Sequence, residues 1–151
     1  MASRDAVQLE VGQAYFELYH QVHRIVDQAM GAAGLSLARA KVLMRLQDRG
    51  PMNQSTLAGL LGYAPRSVTD TVDALERDGL VARTDDENDR RARIVALTPA
   101  GRDACETART VRNQAMDEIF GSLTVRERGT LVELLAKIRT NLPTGENPCA
   151  Q

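Results

Sequence analysis

Tryptophan is absent from this 151-residue chain, and aromatic residues make up only 3% of it. The core must therefore consist mainly of Leu, Val, Ala and Ile. The two cysteines, Cys105 and Cys149, lack CxxC spacing, which indicates a reducing compartment and no disulfide framework. Uncharged apolar runs fall far below the roughly 18 residues of a membrane span. The N-terminal residues lack the apolar core of a signal peptide, so we expect a cytoplasmic protein.

Motifs of catalysis and metal binding are missing as well. The chain has no GxSxG, Walker loop, Rossmann fingerprint or metalloprotease helix, so we expect neither an enzyme nor a cofactor. Glu17, His20 and His23 follow one another at steps of three, which would suit a metal or proton-sensing site. Without CxxC or HExxH, plain surface or interface residues are favoured over a metal. Cys105 fits either a redox switch or a buried, inert thiol, and the buried thiol is favoured.

The net charge is −1, although a nucleic-acid binder usually carries a basic surface. Acidic faces elsewhere can mask a local basic surface. The total charge therefore neither supports nor excludes DNA binding.

Apolar residues at steps of three and four predict a long first helix from Asp5 to about Met30. Gly31 and Gly34 are expected to stop it. Ser36 then suits the N-cap of a second helix, which ends before Gly50-Pro51.

Two short helices and a hairpin are predicted next. Asn53 caps a helix over Gln54–Leu61, and Pro65–Asp78 follows after a tight turn. Strands are predicted over Val81–Thr84 and Arg91–Leu97.

The C-terminal third is predicted to be helical. Thr98-Pro99 starts a long helix to about Phe120, and Thr124–Glu127 is a capping box that opens the last helix. The tail 143–151 is expected to fray.

This order predicts a mainly α (α+β) fold, a winged helix-turn-helix in a single domain over 1–151. The DNA-binding lobe spans 36–97, between long N- and C-terminal dimerisation helices over 5–31 and 99–142. These long helices have more apolar surface than a small core can cover, which predicts a homodimer. A symmetric dimer would place two recognition helices about one DNA turn apart.

The second short helix is the predicted recognition helix. Its candidate DNA contacts are Pro65, Arg66, Ser67, Thr69 and Asp70. Arginine binds guanine bidentately, while Ser and Thr bind bases or phosphates. Two roles fit Asp70. It can form an ion pair with Arg66, four residues away, or it can accept a hydrogen bond from the amino group of a cytosine.

The predicted hairpin carries as many acids as arginines. Its arginines are Arg83, Arg90, Arg91 and Arg93. Its acids are Asp85, Asp86, Glu87 and Asp89. We predict that Asp89 pairs with one arginine and shapes the loop, so that Arg90 or Arg91 stays free for the minor groove. A surface turn with screened ion pairs is the alternative.

The block from Gly62 to Val81 resembles the recognition helix of the MarR family, the multiple antibiotic resistance regulators. Asp89-Arg90-Arg91 and Ala96–Arg102 resemble its wing and the start of its fifth helix, and the helix order matches from about residue 8 to 142. The resemblance implies a triangular homodimer on a pseudo-palindromic operator. Most members of the family repress neighbouring genes, and many are released by phenolic or other aromatic-acid ligands.

The resemblance also implies a ligand cleft lined by the first two helices. Candidate contacts on this chain are Tyr15, Tyr19, His23, Arg24 and Arg45, and interface residues are the alternative role. The first helix has no cysteine, which disfavours hydroperoxide sensing, and the absence of tryptophan disfavours urate.

Three functions are compatible with these patterns. The favoured one is a DNA-binding repressor that a small ligand releases. A regulator controlled by metal or thiol oxidation is the second, and a helical adaptor without DNA binding is the third.

Overall fold

The computed structural model describes residues 4–89 and 92–142, with side chains from residue 6 onward. The regular structure of the described chain consists of six helices and three short strands. In order, its elements are α1 (Arg4–Ala32), α2 (Leu37–Arg49), β1 (Met52–Asn53), α3 (Gln54–Leu61), α4 (Pro65–Arg77), β2 (Val81–Asp85), β3 (Arg93–Leu97), α5 (Pro99–Phe120) and α6 (Val125–Asn141). The predicted winged helix-turn-helix architecture is confirmed. The tail 143–151 lies outside the described residues.

The predicted helix starts are confirmed by side-chain caps. The Arg39 N–H donates to Ser36 Oγ at 3.2 Å, and the Thr56 N–H donates to Asn53 Oδ1 at 2.8 Å. At the start of α6, Thr124 forms the full capping box. These bonds satisfy N–H groups that have no partner within the helix, which is why the sequence marks the boundaries well.

The end of α1 differs from the prediction at one glycine. Gly31 lies inside the helix, and Gly34 alone ends it with a φ of +80°. The Leu35 N–H then donates to Met30 O at 3.0 Å across this turn. A left-handed φ needs glycine, whereas a helical glycine is merely tolerated, so two nearby glycines do not identify the stop.

The small sheet contains a strand that the sequence did not reveal. β1 pairs antiparallel with β3 through Met52↔Val95 and Asn53↔Ile94, and the strand order is β1-β3-β2. Two residues are too few to show an alternating pattern, so this strand is formed by tertiary pairing. The β3 strand begins at Arg93, two residues later than predicted.

The core lies inside the lobe between α2 and β3. Val42, Leu43, Leu75 and Val95 are completely buried there. By contrast, α6 buries none of its residues. No helix among residues 4–89 and 92–142 is long and apolar enough to cross a membrane.

Candidate nucleic-acid interface

A tight turn that depends on Gly62 sets α4 against α3. Gly62 has a φ of +67°, where glycine carries no steric penalty, and the Tyr63 N–H donates to Ala58 O at 3.2 Å. Pro65 occupies the first position of α4, where its missing N–H breaks no helical hydrogen bond. The turn presents the first two turns of α4 at the surface.

The two faces of α4 are separated as the sequence predicted. Val68, Val72 and Leu75 are fully buried. The exposed candidates are Pro65, Arg66, Ser67, Thr69 and Asp70. The sequence-derived DNA contacts of this helix therefore share one accessible face.

Two roles were predicted for Asp70, and the ion pair with Arg66 is not formed in the structure. No hydrogen bond or ion pair joins Arg66 to Asp70, and both side chains are exposed. A guanidinium and a carboxylate one turn apart thus remain able to bind base edges.

Thr69 has less hydrogen-bonding freedom than its exposure suggests. Its hydroxyl donates to Pro65 O at 3.1 Å and accepts from Gln54 Nε2 at 2.9 Å. The hydroxyl hydrogen is therefore committed inside the protein. Thr69 can offer DNA its methyl group or a remaining lone pair, but not a donor.

Arg83 was predicted to be one of the arginines of the wing that contact DNA, but its side chain is turned into the protein. Its side chain is only 10% exposed, and it forms ion pairs with Asp73 and Glu76 of α4. Burial alone would lower the pKa of Arg83, but hydrogen bonds to Asp73 and Glu76 outweigh it and raise the pKa. The guanidinium is turned towards the protein because the α4 carboxylates hold it. This placement sets Arg83 apart from the exposed arginine of the described wing, Arg93, and its contact with DNA stays a prediction.

The acids on and next to α4 are largely held in ion pairs with arginines. This pairing explains how a chain of net charge −1 can present a DNA-binding surface. Arg83 binds both Asp73 and Glu76 and offsets one of their two charges, and Arg39 of α2 pairs with Asp78 at the C-cap. Asp70 is the one acid of this helix without such a partner in the described structure. The sequence could not show this, because 39 residues separate Arg39 from Asp78.

The described part of the wing is weakly paired. Arg93 Nε lies 3.9 Å from Asp85 Oδ1, and both side chains are well exposed. The Asn88 N–H donates to Asp86 Oδ1 at 2.8 Å, which shapes the loop. Arg90 and Arg91 lie outside the described residues, as does the predicted pairing of Asp89 with one of them. Arg93 stays available for a phosphate or the minor groove.

The predicted ligand contacts are not brought together. On α1, Tyr15 stacks on Tyr19 with centroids 6.2 Å apart, and Tyr19 lies 6.1 Å from the His23 ring. These rings and Arg24 are exposed on the surface of α1. Arg45 of α2 instead lines a separate cavity that none of the other four reaches.

This cavity lies between α2, α3, α5 and the end of α1, and its volume is about 350 Å³. Its lining comprises Met30, Leu37, Lys41, Met44, Arg45, Asp48, Leu60, Leu61 and Arg112. Arg45 Nε is buried there without a hydrogen-bond partner. Asp48 pairs with Arg109, so the cavity combines apolar walls with three cations. Sequence reasoning missed Lys41 and Arg112, because no local pattern relates positions so far apart.

Neither alternative sensor gains support from the geometry. Glu17 accepts a hydrogen bond from Gln13 at 2.8 Å, and no cluster of three metal-ligating side chains occurs within the described ranges. Cys105 is fully buried. Burial raises the pKa of its thiol, and this effect outweighs the hydrogen bond with Arg109, which lowers the pKa. A buried, protonated thiol is a poor nucleophile. Cys149 lies outside the described residues.

An exposed recognition helix, a wing and acids held in ion pairs behind that helix together define a winged helix-turn-helix DNA-binding protein. Comparison with known proteins agrees with this class. Residues 35–92 match the model of the MarR family. The chain is similar to this family, whose members are DNA-binding transcription regulators and not enzymes.

Individual relatives extend the similarity along the chain. The HTH-type transcriptional repressor MdtR of Bacillus subtilis is 27% identical, over 97% of this chain and 94% of that protein. The apo structure of MarR from E. coli superposes with a TM-score of 0.78 at 26% identity, covering 87% of this chain and 96% of that one.

A third comparison concerns a regulator with a known ligand. BpsR of Bordetella bronchiseptica, whose DNA binding is regulated by 6-hydroxynicotinic acid, has a TM-score of 0.75 and 28% identity. The alignment covers 86% of this chain and 98% of BpsR.

Proposed function

We propose that two copies of this chain form a homodimer that represses transcription from a pseudo-palindromic operator and is released by a small aromatic acid. The observation that carries the proposal is the outer face of α4. Arg66, Ser67 and Asp70 are exposed there without side-chain partners among the described residues, while Arg83 pairs with the two acids behind them. On such a face the positive charge of Arg66 offsets the negative charge of Asp70, which favours approach to a major groove.

Base recognition follows from the chemistry of these side chains. Arg66 can donate two hydrogen bonds to guanine O6 and N7. Asp70 is an acceptor only, so it can bind a cytosine amine and is repelled by phosphate. Arg93, with Arg90 and Arg91, is proposed to bind the backbone or minor groove beside the site.

The homodimer is supported by apolar surface that the single chain leaves uncovered. On α6, Leu134, Leu135 and Ile138 are 50–53% exposed. An apolar groove of about 530 Å³ runs between α1, the end of α5 and α6. Exposed apolar residues continue along α1, including Val11, Tyr15 and Phe16. A second copy of the same two helices is the simplest cover for a surface of this length.

Release by an aromatic acid is supported by the cavity between the lobe and α5. Lys41, Arg45 and Arg112 can bind a carboxylate, while Met30 and Met44 can pack against a ring. MdtR is a repressor and BpsR responds to a pyridine carboxylic acid. Because the cavity joins α5 to α2 and α3, a ligand there can favour one spacing of the two lobes.

We expect Arg66→Ala to lower operator affinity by about 1–3 kcal/mol and to relax specificity at one base in each half-site, because a bidentate guanine contact is lost. The measurement is a gel-shift titration on duplex DNA that the wild-type protein selects from a random-sequence pool. Arg102→Ala is the charge-matched control, since Arg102 lies at the start of α5 near the C-terminal end of α4. Unchanged base preference in Arg66→Ala would mean that α4 does not recognise the site through Arg66.

We expect 6-hydroxynicotinate to weaken operator binding by the wild type, and to do so about tenfold less potently in Arg45→Gln, since one charge-assisted hydrogen bond is removed. The measurement is operator dissociation against ligand concentration, with nicotinamide as the uncharged probe. Arg24→Gln is the matched control on α1. A loss of response in Arg24→Gln with a normal response in Arg45→Gln would place the ligand on α1 instead.

A further inference from the structure

Each of the three guanidinium nitrogens of Arg83 donates a hydrogen bond to a partner on one of two other elements. Its Nε donates to Gln54 Oε1 at 2.9 Å, its Nη1 donates to Glu76 Oε2 at 2.5 Å, and its Nη2 binds Asp73. The Arg83 backbone N–H also donates to Glu76 Oε1 at 3.1 Å. The planar guanidinium can satisfy these directions together only in one orientation of β2 against α4.

Gln54 extends this contact to the reading turns of α4. It stands at the first position of α3, and its amide accepts from Arg83 while donating to Thr69 Oγ1 at 2.9 Å. Thr69 in turn lies one turn after Pro65, whose carbonyl its hydroxyl binds. One connected set of hydrogen bonds therefore joins β2, α3 and the first turns of α4. We name these five residues, Gln54, Thr69, Asp73, Glu76 and Arg83, the Arg83 bracket.

The position of the Arg83 bracket matters more than its strength. Two of the three elements it joins belong to the proposed DNA-binding surface, since β2 leads into the wing and α4 presents Arg66 and Asp70. Arg83 is 10% exposed but Asp73 and Glu76 are 50% and 40% exposed, so these ion pairs are only partly buried. Partial desolvation and solvent screening leave such pairs little net stability, whereas they can fix a geometry. Base contacts need that geometry, since a hydrogen bond fails when its donor and acceptor separate by well under 1 Å beyond the usual distance.

We propose that Arg83 and Gln54 are positioning residues that fix α4 relative to the wing and thereby set base specificity without touching DNA. The inference rests on the proposed DNA binding. It assigns specificity to residues behind the DNA-reading face, and it removes Arg83 from the set of phosphate contacts.

The test compares Gln54→Ala and Arg83→Gln with the wild type on two duplexes. One is selected by the wild type from a random-sequence pool, and the other is a scrambled duplex of the same composition. We expect the ratio of the two affinities to fall about tenfold in each variant, as for one mismatched base pair. The salt dependence on the scrambled duplex should stay as in the wild type. Arg102→Gln, the charge-matched control, should change neither quantity.

The salt dependence separates positioning from direct contact. If Arg83 held a phosphate, Arg83→Gln would reduce the slope of log affinity against log salt by about one, with little change in the affinity ratio. That result would overturn the inference. An unchanged ratio in folded Gln54→Ala would overturn it too, and this variant keeps the test valid if Arg83→Gln fails to fold.

A double-mutant cycle between Gln54→Ala and Thr69→Val tests the link itself. If Gln54 acts through Thr69, the double variant should lose no more specificity than the worse single variant. Additive losses would mean that each residue binds DNA independently, contrary to the inference. If the wild type enriches no sequence from the pool, the proposed function fails first, which distinguishes that outcome from failure of the Arg83 bracket alone.

Discussion

Leu134→Asp is expected to convert the proposed homodimer into monomers that no longer retain operator DNA. Leu134 is 53% exposed in the single chain and lines the apolar groove beside α6. In a dimer the new carboxylate would be buried against a second apolar helix without a partner, which costs several kcal/mol. Because α6 buries no residue within its own chain, the substitution should leave the fold of the monomer intact.

The mass in solution, measured by light scattering or sedimentation, decides this prediction. Ala136→Asp is the matched control, because it adds the same charge about 200° around the helix from Leu134. The control should stay dimeric and bind operator. A Leu134→Asp protein that remains dimeric would show that the interface lies away from this stripe of α6.

Gly101→Ala is expected to reduce the free energy of unfolding by about 3 kcal/mol, because overpacking against backbone cannot be relieved by a side-chain movement. A Cβ at this position would lie 1.9 Å from Leu80 O. That oxygen is already held at 3.1 Å by the Thr98 N–H, and Thr98 Oγ1 donates to Gly79 O at 2.6 Å. The first turn of α5 therefore cannot move away without breaking the connection that follows α4.

Urea unfolding at a fixed protein concentration measures this effect, since the stability of a dimer depends on concentration. Gly59→Ala is the control. A Cβ there has no atom within 4 Å and the position lies inside α3, so a gain of about 0.5–1 kcal/mol is expected. Equal stability of Gly101→Ala and wild type would mean that α5 packs less closely on Leu80 than the structure shows.

The recognition helix shows how far the sequence could predict the site. The spacing of Val68, Val72 and Leu75 was enough to place Arg66 and Asp70 on the opposite, exposed face. The wing was harder to predict, because it carries four acids and four arginines and their order along the chain does not decide which of them pair. Arg83 was therefore grouped with the free arginines, although α4 holds it.

The ligand site, unlike the recognition helix, could not be predicted from the sequence. The resemblance predicts a cleft lined by Tyr15, Tyr19, His23, Arg24 and Arg45. In the structure Tyr15 stacks on Tyr19 and the His23 ring lies tilted beside Tyr19, on an exposed surface of α1. Arg112 comes from α5 and meets Met44 of α2 across 68 positions of the chain. No periodic pattern in the sequence predicts a contact between residues so far apart in the chain.

By itself, the sequence determined where the helices begin and which of their faces are buried. Caps such as Asn53 and Thr124 act on backbone groups three residues away, so their effect can be read locally. Only the tertiary structure decided the partners of the arginines, since 29 residues separate Arg83 from Gln54 and 61 separate Arg109 from Asp48. A guanidinium binds whichever carboxylate or amide the fold brings near it, and that choice depends on how the helices pack.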